Sequence, residues 1–309
     1  MISILRKLTT DNAILLLSLC MLGWAGNTIA GRLSSGEISP MVIVFLRWAI
    51  VASLLFFFRF QKILNSFYLL KGKIIWLCCM GALGYTGFNS LFYISAHYTS
   101  AINLGIIQGT MPAIILIGSL LFFKEKTNLI QIFGLIFTFI GVLILVSQGE
   151  LQTLLLLTLN HGDLIMFFSC FLYSGFTLGL RKKPNIDPFA LMFFFSIVAL
   201  ISSFLGLWIE YRLNFINWPS TYNEIFIIIY IALVPSLISQ MFFIRGVELI
   251  GADKAALFIN LVPLFSAFLG VIILNERLKI FHLSSLIIIL LGIYLFMILG
   301  EKVKNSEYK

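Results

Sequence analysis

Long uninterrupted runs of apolar residues, each bounded by charges, Pro or Gly, dominate this chain of 309 residues. They fall at about 13–31, 40–58, 74–96, 101–123, 129–146, 162–180, 188–209, 223–247, 252–274 and 281–299. Each is close to the roughly 20 apolar residues that an α-helix needs to cross a hydrocarbon core about 30 Å thick. Membrane-spanning strands would be segments of about ten residues with alternating polarity, a period these runs lack. Because a helix satisfies its own backbone hydrogen bonds where there is no water, the pattern predicts an all-α membrane protein with ten transmembrane helices.

The polar interruptions of these runs recur. Residues 92–146 laid over 243–297 at a constant offset of 151 place Ala101 on Ala252, Pro112 on Pro263, Glu125 on Glu276 and Gly141 on Gly292. At an offset of 149 the first helix meets the sixth, with Trp24 on Tyr173, Gly26 on Gly175 and Thr28 on Thr177. Each half has five helices, an odd number, so the second half enters the bilayer from the opposite side. The expected architecture is therefore two inverted-topology five-helix repeats, a plan that places transport sites at the repeat interface. The expected division is a first repeat over 1–148, an outer connection over 149–161, a second repeat over 162–300 and a tail over 301–309.

Composition adds an exclusion. Hydrophobic residues make up 60% of the chain and charged ones 11%, with a mean hydropathy of +1.05, whereas a soluble domain carries about 25% charged residues. The formal charge of +8 would otherwise suggest nucleic acid, but in a membrane protein Lys and Arg mark the cytoplasmic loops. With the N-terminus inside, sixteen basic residues fall on the cytoplasmic side and four on the outer side, Arg32, Arg212, Arg277 and Lys279. Both termini are thus expected in the cytoplasm, with the chain in the inner (plasma) membrane. Arg6 and Lys7 before an apolar stretch look like a signal peptide, yet that stretch has its counterpart in the sixth helix and reads as the first helix of the mature protein. Cys20, Cys78, Cys79 and Cys170 lie in apolar runs without metal-ligand spacing, so no disulfide framework and no metal site is expected.

The run from Pro112 to Gly141, with Phe122-Phe123-Lys124-Glu125-Lys126 and then Gln131-Ile132-Phe133-Gly134, resembles the EamA-type repeat of the drug/metabolite transporter superfamily. Pro263 to Gly292, with Leu274-Asn275-Glu276-Arg277-Leu278, is similar to it again, as are Phe45-Leu46-Arg47-Trp48 and His161-Gly162-Asp163. The second helix of the second half departs from the pattern, with Phe195 where the first half has Arg47. The resemblance implies a secondary transporter for a small organic metabolite, with export of an amino acid or related compound favoured. Uptake of a nucleoside-like or methyl-donor metabolite is the alternative.

Polar side chains in the spans are the candidate chemistry, since they are costly in lipid and often functional. Trp24, Asn27 and Thr28 share one face of the first helix by their i, i+3 and i+4 spacing. Tyr85 and Asn89, Asn103 and Gln108, Tyr173, Gln240, and Asn260 continue the set on other spans. Together with Arg47 they form the expected substrate cavity near the midplane, with Trp24 and Tyr173 on opposite walls. Arg47 is read either as structural or as a two-point contact for a carboxylate. Pro112 and Pro263 each remove a mid-span backbone bond and are read as hinges that let the halves rock, or as fixed kinks. Glu125 and Glu276 are read as structural pairs beside basic residues. No Asp or Glu is expected deep in a span. No nucleotide-binding, metalloprotease or paired-carboxylate motif is present, so the chain is not expected to be an enzyme. A membrane-embedded lipid-modifying enzyme, the reading from another class, would need clustered acidic or His residues. The expected partners are a small-molecule substrate and the lipid bilayer, with no nucleic acid and no cofactor, and a homodimer is left open.

Overall fold

The structure, a computed structural model, describes residues 12–123, 128–150, 160–251, 255–256, 258–295 and 299. The first half contributes α1 (Ala13–Leu33), α2 (Pro40–Phe67), α3 (Ile74–Ala96), α4 (Ala101–Phe123) and α5 (Leu129–Val146). The second contributes α6 (His161–Gly179), α7 (Pro188–Arg212), α8 (Tyr222–Ile250), α9 (Leu261–Leu274) and α10 (Ile280–Tyr294). Seven of these, α1 to α4 and α6 to α8, are long and apolar enough to cross a membrane, and the shorter apolar α5, α9 and α10 complete ten. Their outer faces carry Phe57, Phe122, Phe226 and Ile280 largely exposed, the apolar surface that a bilayer covers.

Sequence dictates where each helix begins. Asn12, Ser100, Asn128, Asn160 and Thr221 accept backbone N–H groups at the starts of α1, α4, α5, α6 and α8, groups that have no partner inside the helix. Pro40 and Pro188 open α2 and α7, where the missing N–H costs nothing. Two boundaries differ from expectation. α2 runs on to Phe67, past a distorted Arg59 with φ of −132°, because a helix that reaches water does not have to stop where hydropathy does. α9 is a regular helix only from Leu261, after a turn at residues 259–260. Arg6, Lys7, Lys124, Glu125, Lys126, Ala252, most of the 149–161 connection and the 301–309 tail lie outside the described residues.

The two repeats are visible in their irregularities. π-helical segments occupy Gly81–Gly87 in α3 and Ala232–Ile238 in α8, separated by the same 151 residues that relate Pro112 to Pro263. α4 breaks at Gly109–Thr110, just before Pro112, and α9 begins anew just before Pro263. The breaks face each other: a Cβ on Gly109 would lie 2.9 Å from the Pro263 ring, and one on Gly105 2.3 Å from Ser266. At the α4 break Ile107 O accepts from both Thr110 N–H at 2.9 Å and Thr110 Oγ1 at 2.7 Å, as expected when backbone groups cannot turn to water.

The largest helix contacts run between the halves. α2 packs on α7, α4 on α9 and α5 on α10, while α1 packing on α8 and α9 is mirrored by α6 packing on α3 and α4. The two sequence halves are thus interleaved at these contacts.

α5 and α10 meet at the paired glycines Gly141 and Gly292. A Cβ on Gly292 would stand 2.5 Å from the carbonyl oxygen of Gly134 and one on Gly141 3.0 Å from that of Ser285, so backbone sets the spacing, as at small-residue crossings generally. Gly292→Val is expected to destabilise the protein by about 2 kcal/mol through overpacking, measured as a lower melting temperature in detergent.

Candidate functional site

Near the middle of the bundle lies a cavity of about 30 Å³, room for one or two water molecules. α1 contributes Trp24 and Asn27, α2 Arg47 and Trp48, α3 Gly84, Tyr85, Phe88 and Asn89, α4 Gln108 and Met111, α6 Tyr173, and α8 Pro235 and Gln240. Both π-helical segments touch it, through Gly84 and Tyr85 on one side and Pro235 on the other. π-bulges occur often at functional sites, and here they turn Tyr85 inward from a helix that the ordinary 3.6-residue period would have continued.

Arg47 is 3% exposed and supplies the only charge among the cavity's lining residues. Its Nε donates to Ser236 Oγ at 2.7 Å and its Nη1 to Asn89 Oδ1 at 2.6 Å and Tyr93 Oη at 2.8 Å. Those acceptors are themselves held. Tyr93 Oη donates to Asn27 Oδ1 at 2.8 Å, Asn89 Nδ2 to Tyr85 O at 2.5 Å, and Ser236 Oγ to Ile231 O. The guanidinium carbon stands 5.0 Å from the Trp48 ring centre and 5.7 Å from that of Tyr93, within range of cation–π attraction. Among the described residues Nη2 donates to no protein group and no salt bridge involves Arg47.

Aromatic rings form the rest of the wall. Trp48 stacks on Tyr85 at 4.2 Å and 16°, Phe88 meets Tyr173 at 4.9 Å, and Trp24 meets Tyr173 edge to face at 5.3 Å. Trp24 and Tyr173 are therefore in contact, not on opposite walls as expected. α1 and α6 converge at the centre, and 30 Å³ leaves no room between their rings. Tyr173 Oη donates to Gln240 Oε1 at 3.2 Å, while Gln240 Nε2 and Tyr85 Oη, both buried, meet no partner at hydrogen-bonding geometry. A buried polar group without a partner is costly, and both residues line the same cavity as Arg47.

Eight of the expected residues thus converge, and three do not. Thr28 is buried in the packing of α1 against α9, donating to Ala25 O at 2.7 Å and Ser266 Oγ at 3.2 Å. Asn103 points to the opposite face of the bundle from the α1 start, where its Nδ2 meets both oxygens of Asp163 at 3.1 Å. Asn260 stands at the turn before α9 with a buried Oδ1 that has no partner. Pro112 and Pro263 lie at the breaks, buried, and outside the lining. The reading from sequence missed Tyr93, which anchors Arg47. It continues the face of Tyr85 and Asn89 by one further turn.

That opposite face, called distal here, holds a vestibule of about 700 Å³ whose lining includes Arg32, Thr99, Asn103, Asn160, Glu276 and Lys279. Among the described residues Glu276 pairs with no basic side chain, contrary to expectation, and accepts the backbone N–H groups of Ala101 at 2.8 Å and Ile102 at 3.0 Å. The first turn of α4 offers free N–H groups that a carboxylate satisfies better than an ammonium neighbour would satisfy the carboxylate.

Comparison with known proteins gives one consistent result. Residues 11–147 and 160–298 each match the model of the EamA-like transporter family. An uncharacterized transporter of Bacillus subtilis (strain 168), YyaM, is 27% identical over 263 residues, covering 84% of both chains. An uncharacterized transporter of Archaeoglobus fulgidus is 27% identical over 293 residues, covering 91% of this chain and 96% of that one. A crystal structure of another protein, 15% identical, shares the fold with a TM-score of 0.66 over 94% of this chain and 98% of that one.

Proposed function

We propose, from the premise that this chain belongs to the EamA-like transporter family, that it carries a small carboxylate-bearing metabolite, an amino acid or a close relative, outward across the inner membrane. The single observation that supports this substrate class is Arg47, a buried guanidinium with a free Nη2 in a cavity that has no acidic side chain in its lining. A carboxylate is the complement of such a group, because charge-assisted bonds to a guanidinium fork are about twice as strong as neutral ones. Gln240 Nε2 and Tyr85 Oη would meet the same polar end, and the ring wall of Trp24, Phe88 and Tyr173 would meet an apolar remainder.

Transport then proceeds by alternating access. A cavity of 30 Å³ must widen to admit an amino acid, and the facing breaks of α4 and α9 are where the bundle can yield, because broken helices lack a continuous ladder there. Asn27, Asn89 and Tyr93 hold Arg47 in place meanwhile. Outward direction is carried over from the family resemblance, and cytoplasmic termini rest on the sixteen-to-four distribution of basic residues. The alternative, a nucleoside-like or methyl-donor metabolite, draws support from the Trp48–Tyr85 stack, a surface on which a heteroaromatic ring can lie.

Uptake into proteoliposomes, screening radiolabelled amino acids, their decarboxylated amines and nucleosides, tests the reading. Amino acids are expected to be carried and the matching amines to compete at least tenfold less well. Equal competition by the amines would remove the carboxylate from the argument.

A further inference from the structure

Asp163, the third residue of α6, is completely buried. Sequence placed it at the mouth of a helix, where a carboxylate ordinarily caps backbone N–H groups or meets water. It does neither. Asn160 is the cap, its Oδ1 accepting the N–H groups of Gly162 at 2.8 Å and Asp163 at 3.3 Å, while its Nδ2 donates to Tyr98 O at 3.1 Å. Asp163 points instead across to the turn between α3 and α4, where Thr99 Oγ1 donates to Oδ1 and Asn103 Nδ2 lies 3.1 Å from both oxygens. Gly162 makes the approach possible, since a Cβ there would stand 2.9 Å from Ser95 O and 3.0 Å from Thr99 N.

The contact has two features of a site that exchanges a proton. First, no cation pairs with Asp163 among the described residues, so its charge is balanced only by hydrogen bonds and by the start of α6. Second, Asn103 is 6% exposed and its Oδ1 is buried without a partner beside the carboxylate. An unprotonated carboxylate has no hydrogen to offer that oxygen. A protonated one does: with the proton on Oδ2 and the Asn103 amide turned to suit, O–H donates to the amide oxygen while the amide N–H donates back, and the orphan disappears. Thr99, Asn103 and Asn160 all line the distal vestibule, so water stands one side chain away from the carboxyl group.

We propose that Asp163 is the proton-binding group of this carrier, loaded from the distal vestibule, and that its protonation state sets how α6 of the second half is tied to the α3–α4 turn of the first. Other charged or titratable groups stand on this side, among them Glu210 of α7, which accepts the N–H of Met41 at 2.9 Å. Arg32 of α1 donates to Ala96 O at 2.8 Å, and Glu276 caps α4. His97, at the end of α3, is held below the ordinary imidazole value by burial and then by Arg32. Arg277, Lys279 and His282 line the vestibule from the α9–α10 side. His161, of α6 itself, is exposed.

The test uses the full-length protein in liposomes and needs no transported solute, so its outcome is separate from that of the carboxylate-substrate reading. Infrared difference spectra between acidic and neutral buffer should contain a protonated-carboxyl band that titrates in the parent protein and is missing in Asp163→Asn. Labelling of a cysteine placed at Ser100, in a background lacking the four native cysteines, should change about threefold or more with pH. In Asp163→Asn it should stay at the acid-form value throughout. Thr99→Val removes a donor that binds the charged carboxylate more strongly than the neutral acid and should raise the titration midpoint by about one pH unit. A band that survives Asp163→Asn, labelling that still follows pH in that variant, or an unmoved midpoint in Thr99→Val would each overturn the proposal. Should Asp163→Asn fail to reconstitute, the Thr99→Val midpoint alone decides.

Discussion

Arg47→Met should lower the flux of a carboxylate substrate roughly 30-fold or more, while leaving the melting temperature of the protein unchanged or higher. The first expectation follows because truncating one partner of a buried, hydrogen-bonded charge pair costs about 2–5 kcal/mol, and each 1.4 kcal/mol is a factor of about ten. The second follows because the groups around Arg47 keep a partner without it, apart from Asn89 Oδ1. Ser236 Oγ still donates to Ile231 O, Tyr93 Oη to Asn27 and Asn89 Nδ2 to Tyr85 O. Without substrate, Arg47 is a buried cation with no counter-ion among the described residues, and an apolar replacement of similar length is often neutral or stabilising there. Arg47→Lys should fall between, since an ammonium keeps the charge but cannot reach Ser236, Asn89 and the cavity at once. The decisive reading is the preference for an amino acid over its decarboxylated amine. A Met variant that keeps this preference would place recognition elsewhere.

The helices were legible because a bilayer imposes length and apolarity on every span, and the repeat was legible because Pro112, Pro263, Gly141 and Gly292 do work that leucines cannot. Much of the cavity was legible for the same reason: Arg47, Asn27 and Asn89 need partners in a place without water. The rest depended on depth and rotation. Asn89 and Asn103 are alike in sequence, yet one lies beside the π-helical turn of α3 and the other in the first turn of α4, 6% exposed beneath the vestibule. Thr28 fits the polar face of α1 by spacing, but a threonine can satisfy itself on the carbonyl of its own helix, as it does with Ala25. Asp163 looked like a residue at a helix mouth because hydropathy cannot show that Gly162 lets two backbones meet.

Glu276→Ala should destabilise the protein by about 2 kcal/mol, a drop of roughly 5 °C in melting temperature, without altering any pH dependence that Asp163 confers. Asn275 adopts the left-handed conformation at the end of α9, with φ of 53°, a geometry that asparagine tolerates better than most residues. That turn lets the N–H of Glu276 close onto Gly270 O at 3.1 Å and aims its side chain across the vestibule at α4. Both carboxylate oxygens are then used, one on Ala101 N–H and one on Ile102 N–H, at the positive end of the helix dipole, where a negative charge is worth most. Alanine abandons both N–H groups, whereas glutamine keeps one acceptor and should cost about half as much. The loss falls on the segment that carries Asn103 and Gln108, so transport should decline with stability and recover when the variant is assayed well below its melting temperature. Asp163→Asn should do the reverse, sparing stability and removing the response to pH. If Glu276→Gln instead abolished the pH dependence in protein as stable as the parent, the two carboxylates would have exchanged roles, with Glu276 taking the proton and Asp163 holding the fold.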